Sequence, residues 1–112
     1  MISIKDIKGL KFPDEYFTKF FFKNSLEKKS SLKFLEFGCG NASNLMLPYE
    51  YDNEVIGVDF DSTLISYANS NFEQMKSQNN YKFYQDDMRE FVKSHHNLLA
   101  DVLLLPSIIY YI

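Results

Sequence analysis

Residues Leu35-Glu36-Phe37-Gly38-Cys39-Gly40-Asn41 constrain this chain more than any other stretch. An apolar run leads into an acid, and two glycines one residue apart follow. The pattern predicts a buried strand that ends in a turn too tight for side chains. Such a turn lets a ligand lie directly against backbone N–H groups. The run Val55-Ile56-Gly57-Val58-Asp59, whose acid lies nineteen residues after Gly40, repeats the theme of an apolar strand ending in an acid. A carboxylate placed there can accept two hydrogen bonds from a ribose diol. The pair of elements implies a nucleoside-containing ligand at the carboxyl end of a parallel sheet.

The rest of the chain supplies the alternation such a sheet needs. Phe12-Pro13-Asp14-Glu15 predicts a helix start, with proline in the first turn and acids at the positive dipole end. The helix is expected over about 13–29, and Tyr16, Phe17, Phe20 and Phe21 recur at its spacing as a core stripe, with a cover over the bound ligand as the alternative. Strands are expected at Lys33–Phe37, Glu54–Val58, Tyr81–Gln85 and Asp101–Leu105, the last stopped by Pro106. Between them, a short helix from about Ala42 is expected to end near Pro48. A second helix is capped by Asp61-Ser62-Thr63 and buries Leu64, Ile65, Ala68, Phe72 and Met75. A third, short helix carries Phe91 and Val92. Strands alternating with helices predict one α/β domain over residues 1–112, with a mainly parallel sheet and helices on both faces.

Four motifs in register resemble the N-terminal, cofactor-binding half of the class I S-adenosylmethionine-dependent methyltransferases. They are Glu36-Phe37-Gly38-Cys39-Gly40, Gly57-Val58-Asp59, Gln85-Asp86-Asp87-Met88-Arg89-Glu90-Phe91 and Asp101-Val102-Leu103-Leu104-Leu105-Pro106. The resemblance covers roughly residues 10–112 and implies a Rossmann-like sheet. In that sheet the first strand lies between the second and the fourth, with the third outside. It also implies S-adenosyl-L-methionine as cofactor. Gly38, Cys39 and Gly40 would form the loop under the methionine part, and Glu36 would orient that loop and the amino group. Asn41 or Asn44 would help with the carboxylate. Asp59 would hold the ribose hydroxyls, Phe60 would lie against the adenine, Asp87 would accept from the adenine amino group with Met88 on the ring, and Pro106 would border the methyl donor. Members of the family continue for further strands and helices, so the sheet is expected to be truncated after the fourth strand. Activity of the isolated fragment is doubtful on that ground.

Two positions depart from the family pattern. Ala42 stands where a third glycine is usual, and Asp86 stands where a glycine precedes the acid of the third motif. Asp86 and Asp87, read as a strand end, point to opposite sides, and Asp87 is chosen because Met88 follows it. No residue is assigned a catalytic role. Cys39 has no base nearby and is read as a small loop residue. His95-His96 has no ligand set at metal spacing and is read as a solvated helix end, so no metal is expected. A nicotinamide-dinucleotide Rossmann domain is the second enzymatic reading, weakened because the third glycine of its fingerprint falls at Ser43. A non-catalytic binding or interaction module is the third.

Charge separates possible partners. Residues 1–33 carry eight lysines against four acids, whereas residues 34–112 carry four cations against eleven acids. An acidic body does not favour a nucleic-acid backbone, and the basic start reads as a solvated helix face. No apolar run is long enough to span a bilayer. A single cysteine and no leader-like start suggest a reducing, cytoplasmic setting. The acceptor is expected to be a small molecule. The apolar fourth strand, left on an open edge, and the tail Ile108–Ile112 predict pairing with a second copy as a homodimer. The tail is alternatively read as lining a substrate pocket, or as a helix or strand without its packing partner.

Overall fold

The computed structural model describes residues 4–75, 79–106 and 108–111. The N-terminal segment makes one 3-10 turn at Ile4–Asp6 before α1 (Glu15–Lys23). β1 (Lys33–Phe37), α2 (Met46–Glu50), β2 (Glu54–Asp59), α3 (Ser62–Gln74), β3 (Tyr81–Gln85), α4 (Met88–Ser94), β4 (Val102–Leu105) and β5 (Ile108–Tyr111) follow. The strands form one sheet in the order β3-β2-β1-β4-β5. β1 pairs parallel with β2 and with β4, and β2 pairs parallel with β3. This is the α/β sheet, with its reversal of strand order between β2 and β4, that the alternation and the resemblance imply.

Strand alternation divides the core between the two faces. On one face Phe34, Val55, Phe83, Val102 and Leu104 pack against α1, α2 and α3 through Phe17, Phe21, Tyr49, Ile65 and Phe72. On the other, Leu35, Phe37, Ile56 and Val58 pack against Phe91 of α4. Three helices start on aspartate caps. Asp14 accepts from the Phe17 N–H at 3.0 Å, Asp61 from Thr63 and Leu64, and Asp87 from Arg89 and Glu90.

The sheet does not stop at the fourth strand. Residues 108–111 fold back antiparallel on β4, with Leu105 opposite Ile108 and Leu104 opposite Ile109. The tail therefore covers the β4 edge, and pairing of two copies through that edge loses its basis. Ile112, part of the tail invoked for that contact, lies outside the described residues. β5 is itself an edge, with Ile108, Tyr110 and Tyr111 exposed.

Two helix boundaries also differ from expectation. α1 closes at Lys23 rather than continuing to about residue 29. Asn24 caps it and Ser25 turns into the left-handed region at φ 56°, after which Leu26–Lys28 forms a separate 3-10 turn. Pro48 does not end a helix but sits in the first turn of α2, where its missing N–H is not needed.

Candidate functional site

The carboxyl ends of β1, β2 and β4 and the start of α4 frame two adjoining cavities. The larger, of about 470 Å³, is lined by Glu36, Phe37, Gly38 and Asn44 on one side and Leu104, Leu105 and Pro106 on another. Asp14, Tyr16 and Phe17 from the start of α1, and Ile108 and Ile109 from β5, complete it. The smaller, of about 230 Å³, is lined by Phe37, Gly38, Val58, Asp59, Phe60, Asp86, Asp87 and Met88. Phe37 and Gly38 belong to both, so the two cavities meet over the glycine turn. Five of the ten residues expected to contact a cofactor, Gly38, Asp59, Phe60, Asp87 and Met88, line the smaller cavity, and Glu36 and Pro106 in the larger one bring the total to seven.

The glycine turn is built differently from the simple picture of free amides. Gly38 and Gly40 adopt φ of 71° and 57°, the left-handed backbone that glycine tolerates best. The Gly38 and Cys39 N–H groups both donate to the Val58 carbonyl, at 2.8 and 3.1 Å. Gly40 N–H donates to Asp59 Oδ2 at 2.8 Å, and Ala42 N–H donates to the Cys39 carbonyl. These amides are engaged within the protein and are not offered to a ligand. Asp59 thus braces the loop as well as facing the smaller cavity. Its Oδ1 accepts from the Asp61 N–H at 2.8 Å.

Two loop residues turn away from the cavities. Cys39 is buried, and its sulfur packs beside Gly57, where a Cβ would lie only 2.7 Å from Sγ and 2.8 Å from Phe83 Cδ1. Gly57 is therefore required by close packing under the loop. Burial pushes the Cys39 thiol far above its ordinary range, and the charges of Glu36 and Asp59 add to this, so it stays protonated and inert. The Asn41 amide donates to the Lys8 and Leu10 carbonyls, both at 2.7 Å. Asn71 of α3 accepts from Lys8 N–H and donates to the Lys8 carbonyl. Asn41 is a clip for the N-terminal segment, and its side chain is not available to a ligand carboxylate.

Glu36 is the most unusual side chain of the site. It is only 7% exposed; Oε2 accepts from Asn44 Nδ2 at 2.8 Å, and the buried Oε1 has no partner among the described residues. Burial pushes its carboxyl up to about 8; the Asn44 hydrogen bond opposes this, and the charges of Asp59 and Asp14 add to it.

The paired acids of the third motif do not point to opposite sides. β3 ends at Gln85, so strand alternation no longer applies, and Asp86 and Asp87 both line the smaller cavity. Asp86 N–H donates to the Asp59 carbonyl, and Asp86 Oδ1 accepts from Asp87 N–H. Asp87 caps α4 with Oδ1 alone.

The wall supplied by α1 was only partly legible. Phe17 and Phe21 are core, as their spacing predicts, whereas Tyr16 is 66% exposed and lines the larger cavity with Asp14. The same helical spacing put Tyr16 on the core stripe, and the structure corrects this by turning it outward beside Asp14 at the cavity. His95 caps the end of α4 and stacks on Phe91, with ring centroids 4.1 Å apart. Among the described residues, no helix is long and apolar enough to cross a membrane.

Comparison with known proteins agrees with this architecture. The fold is similar to a SAM-dependent methyltransferase from Agrobacterium tumefaciens, at a TM-score of 0.67 and 19% identity over 81% of this chain and 30% of that one. It is similar to YjhP from E. coli, at a TM-score of 0.52 and 19% identity over 67% of this chain and 31% of the other. The MccD protein gives a TM-score of 0.53 and 20% identity over 65% and 32%. The chain spans under a third of the length of each of these structures. Among curated proteins none matches. The family model described as a methyltransferase domain matches residues 28–112, the segment that holds β1 to β5 and the glycine turn, and the chain belongs to that family.

Proposed function

We propose that this chain is the cofactor-binding part of an S-adenosylmethionine-dependent methyltransferase acting on a small-molecule acceptor. The observation that carries the reading is electrostatic. Four aspartates, Asp14, Asp59, Asp86 and Asp87, and the buried Glu36 carboxyl line the two cavities, and no lysine, arginine or histidine does so among the described residues. With the amides of Gly38, Cys39 and Gly40 engaged internally, the turn lacks the free N–H cradle that a pyrophosphate needs. Such a surface favours a cationic ligand over a dinucleotide, which argues against the nicotinamide reading.

The residues fit S-adenosylmethionine. The partnerless Glu36 Oε1 would accept from its ammonium group. The turn at Gly38 and Gly40 would lie along the methionine portion, since a Cβ at Gly40 would meet only Leu64 Cδ1, at 3.9 Å, leaving that side of the turn uncrowded. Asp59 keeps lone pairs beyond its two backbone contacts for the ribose hydroxyls. Phe60, 75% exposed, and Met88 would close on the adenine, with Asp87 Oδ2 or Asp86 accepting from its amino group. Pro106 would border the methyl donor. When bound, the cofactor supplies a methyl group on a positively charged sulfur, for in-line transfer to the acceptor. The protein's part is to exclude water and hold the two reactants in line, which demands no reactive side chain.

Calorimetry with S-adenosylhomocysteine and with NADH tests the reading. Binding of S-adenosylhomocysteine alone is expected. Binding of NADH alone overturns it in favour of the dinucleotide domain, and binding of neither favours an interaction module.

A further inference from the structure

Asn44 joins the two walls of the larger cavity. Its Nδ2 donates to Glu36 Oε2 at 2.8 Å, and its Oδ1 accepts from Asp14 N–H at 2.6 Å. The second bond fixes the first. A backbone N–H only donates, so Asp14 compels the amide oxygen to face α1 and the amide nitrogen to face Glu36. Glu36 is thus presented with a donor whatever its own protonation state. Asn44 is also the only side chain among the described residues that hydrogen-bonds Glu36.

Every other influence on Glu36 opposes its charge. The titratable groups facing it are Asp14 from the α1 cap, Asp59 from the end of β2 and the Cys39 thiol from the turn, and burial acts in the same direction. On the β4 side its ladder neighbour is the apolar Leu104. A protonated Glu36 has no charge with which to meet an ammonium group.

We propose that Asn44 is a positioning residue for Glu36, locked by the α1 cap so that its donor favours the carboxylate and leaves Oε1 for the ammonium group of the ligand. The ligand's role rests on the methyltransferase reading above; the Asn44–Glu36 coupling itself does not. It follows that the cap of α1, which the glycine motif does not include, acts through Asn44 on the first acid of that motif, against the burial that keeps it protonated.

Two measurements on the full chain decide this. The first is a ¹³C NMR titration of the Glu36 side-chain carboxyl without ligand. The wild-type midpoint is expected near 8. Asn44→Ala and Asn44→Asp are both expected to move it upward by about one pH unit, a tenfold change in the ionisation constant. Asn44→Asp keeps the acceptor for Asp14 N–H, so it serves even if Asn44→Ala folds poorly. The second is calorimetric binding of S-adenosylhomocysteine across the same pH range. Wild-type affinity should rise with pH as Glu36 ionises. Each variant should bind about tenfold more weakly near neutral pH and converge on wild type above its own midpoint. An unchanged Glu36 midpoint in the variants overturns the proposal, as does a loss of affinity that is uniform with pH. If wild type binds no S-adenosylhomocysteine, the methyltransferase reading fails, and the NMR midpoint still decides the role of Asn44.

Discussion

The Gly40 N–H donates to Asp59 Oδ2 at 2.8 Å, so the acid that ends β2 holds the glycine turn that ends β1. Asp59 therefore has two tasks, one toward the loop and one toward the smaller cavity. Asp59→Ala leaves the half-buried Gly40 amide without its acceptor, at a cost of roughly 1–3 kcal/mol in stability. It also removes the acceptor proposed for the ribose hydroxyls. Calorimetry is expected to show S-adenosylhomocysteine binding about 10- to 100-fold weaker. Thermal denaturation should show the accompanying loss of stability. A variant as stable as wild type that still binds weakly would separate the two tasks; unchanged affinity would remove the ribose role.

Gly57 is fixed by what lies under the turn. A Cβ there would meet Cys39 Sγ at 2.7 Å and Phe83 Cδ1 at 2.8 Å, inside a fully buried part of the sheet. Gly57→Ala is expected to destabilise the fold by about 1–3 kcal/mol through overpacking. Cys39→Ala in the same chain removes the nearest atom and should recover part of that loss. Denaturant midpoints of the single and double variants measure it, and additivity of the two changes would contradict the packing argument.

Much of this architecture was written in local sequence. β1, β2 and β4 are short apolar runs bounded by polar residues, and burial on both faces leaves little alternative for such runs; β3, at the sheet edge, shows instead as alternation about the buried Phe83. The acid–glycine turn and Asp59 could be placed because each sits at a strand end. Long-range partners were less visible. β5 is four residues with no polar alternation, and only its pairing with β4 makes it a strand. The end of α1 was hidden because apolar residues continue to Leu26, while the break depends on the left-handed Ser25. Nothing local shows that Asn41 and Asn71 hold Lys8, or that the carbonyl of Val58 takes up the amides of the turn. The sequence motif identified the turn, and the structure changed what the turn offers: acids around it rather than amides within it.

Ala42 stands at the third glycine position with φ of 63° and no exposed surface. A left-handed alanine costs about 1–2 kcal/mol, which glycine would relieve. Against this, Ala42→Gly loses a buried methyl, about 0.8 kcal/mol, and adds unfolded-state freedom worth about 0.4–1 kcal/mol. The terms nearly cancel, so stability should change by less than about 1 kcal/mol and cofactor affinity should hold. Gly40→Val differs in cause. A Cβ at Gly40 meets nothing nearer than Leu64 at 3.9 Å, but φ of 57° is hostile to a β-branched residue. It should disorder the turn and abolish S-adenosylhomocysteine binding. A well-folded Gly40→Val that binds normally, or an Ala42→Gly that binds much worse, would show that the turn is not where the ligand lies.

The buried Glu36 makes stability fall as pH rises. Its carboxyl titrates near 8 in the folded protein against 4.5 in its absence, so between those values the folded state holds a proton that the unfolded chain does not. Stability from this group is complete below about pH 4.5, declines through the interval and is lost above about pH 8. The total is on the order of a few kcal/mol. Glu36→Gln removes the titration while keeping an oxygen to accept from Asn44. Its melting temperature should match wild type near pH 4.5 and exceed it increasingly up to about pH 8, beyond which the gap stays constant. The same variant should bind S-adenosylhomocysteine more weakly, because a neutral amide cannot pair with an ammonium group. Such an exchange of stability for binding is expected where a charge is buried for a ligand's sake. Melting curves of the two proteins across the pH range, and calorimetry near pH 8, check both halves. Parallel melting curves would mean that Glu36 is not held neutral by its burial.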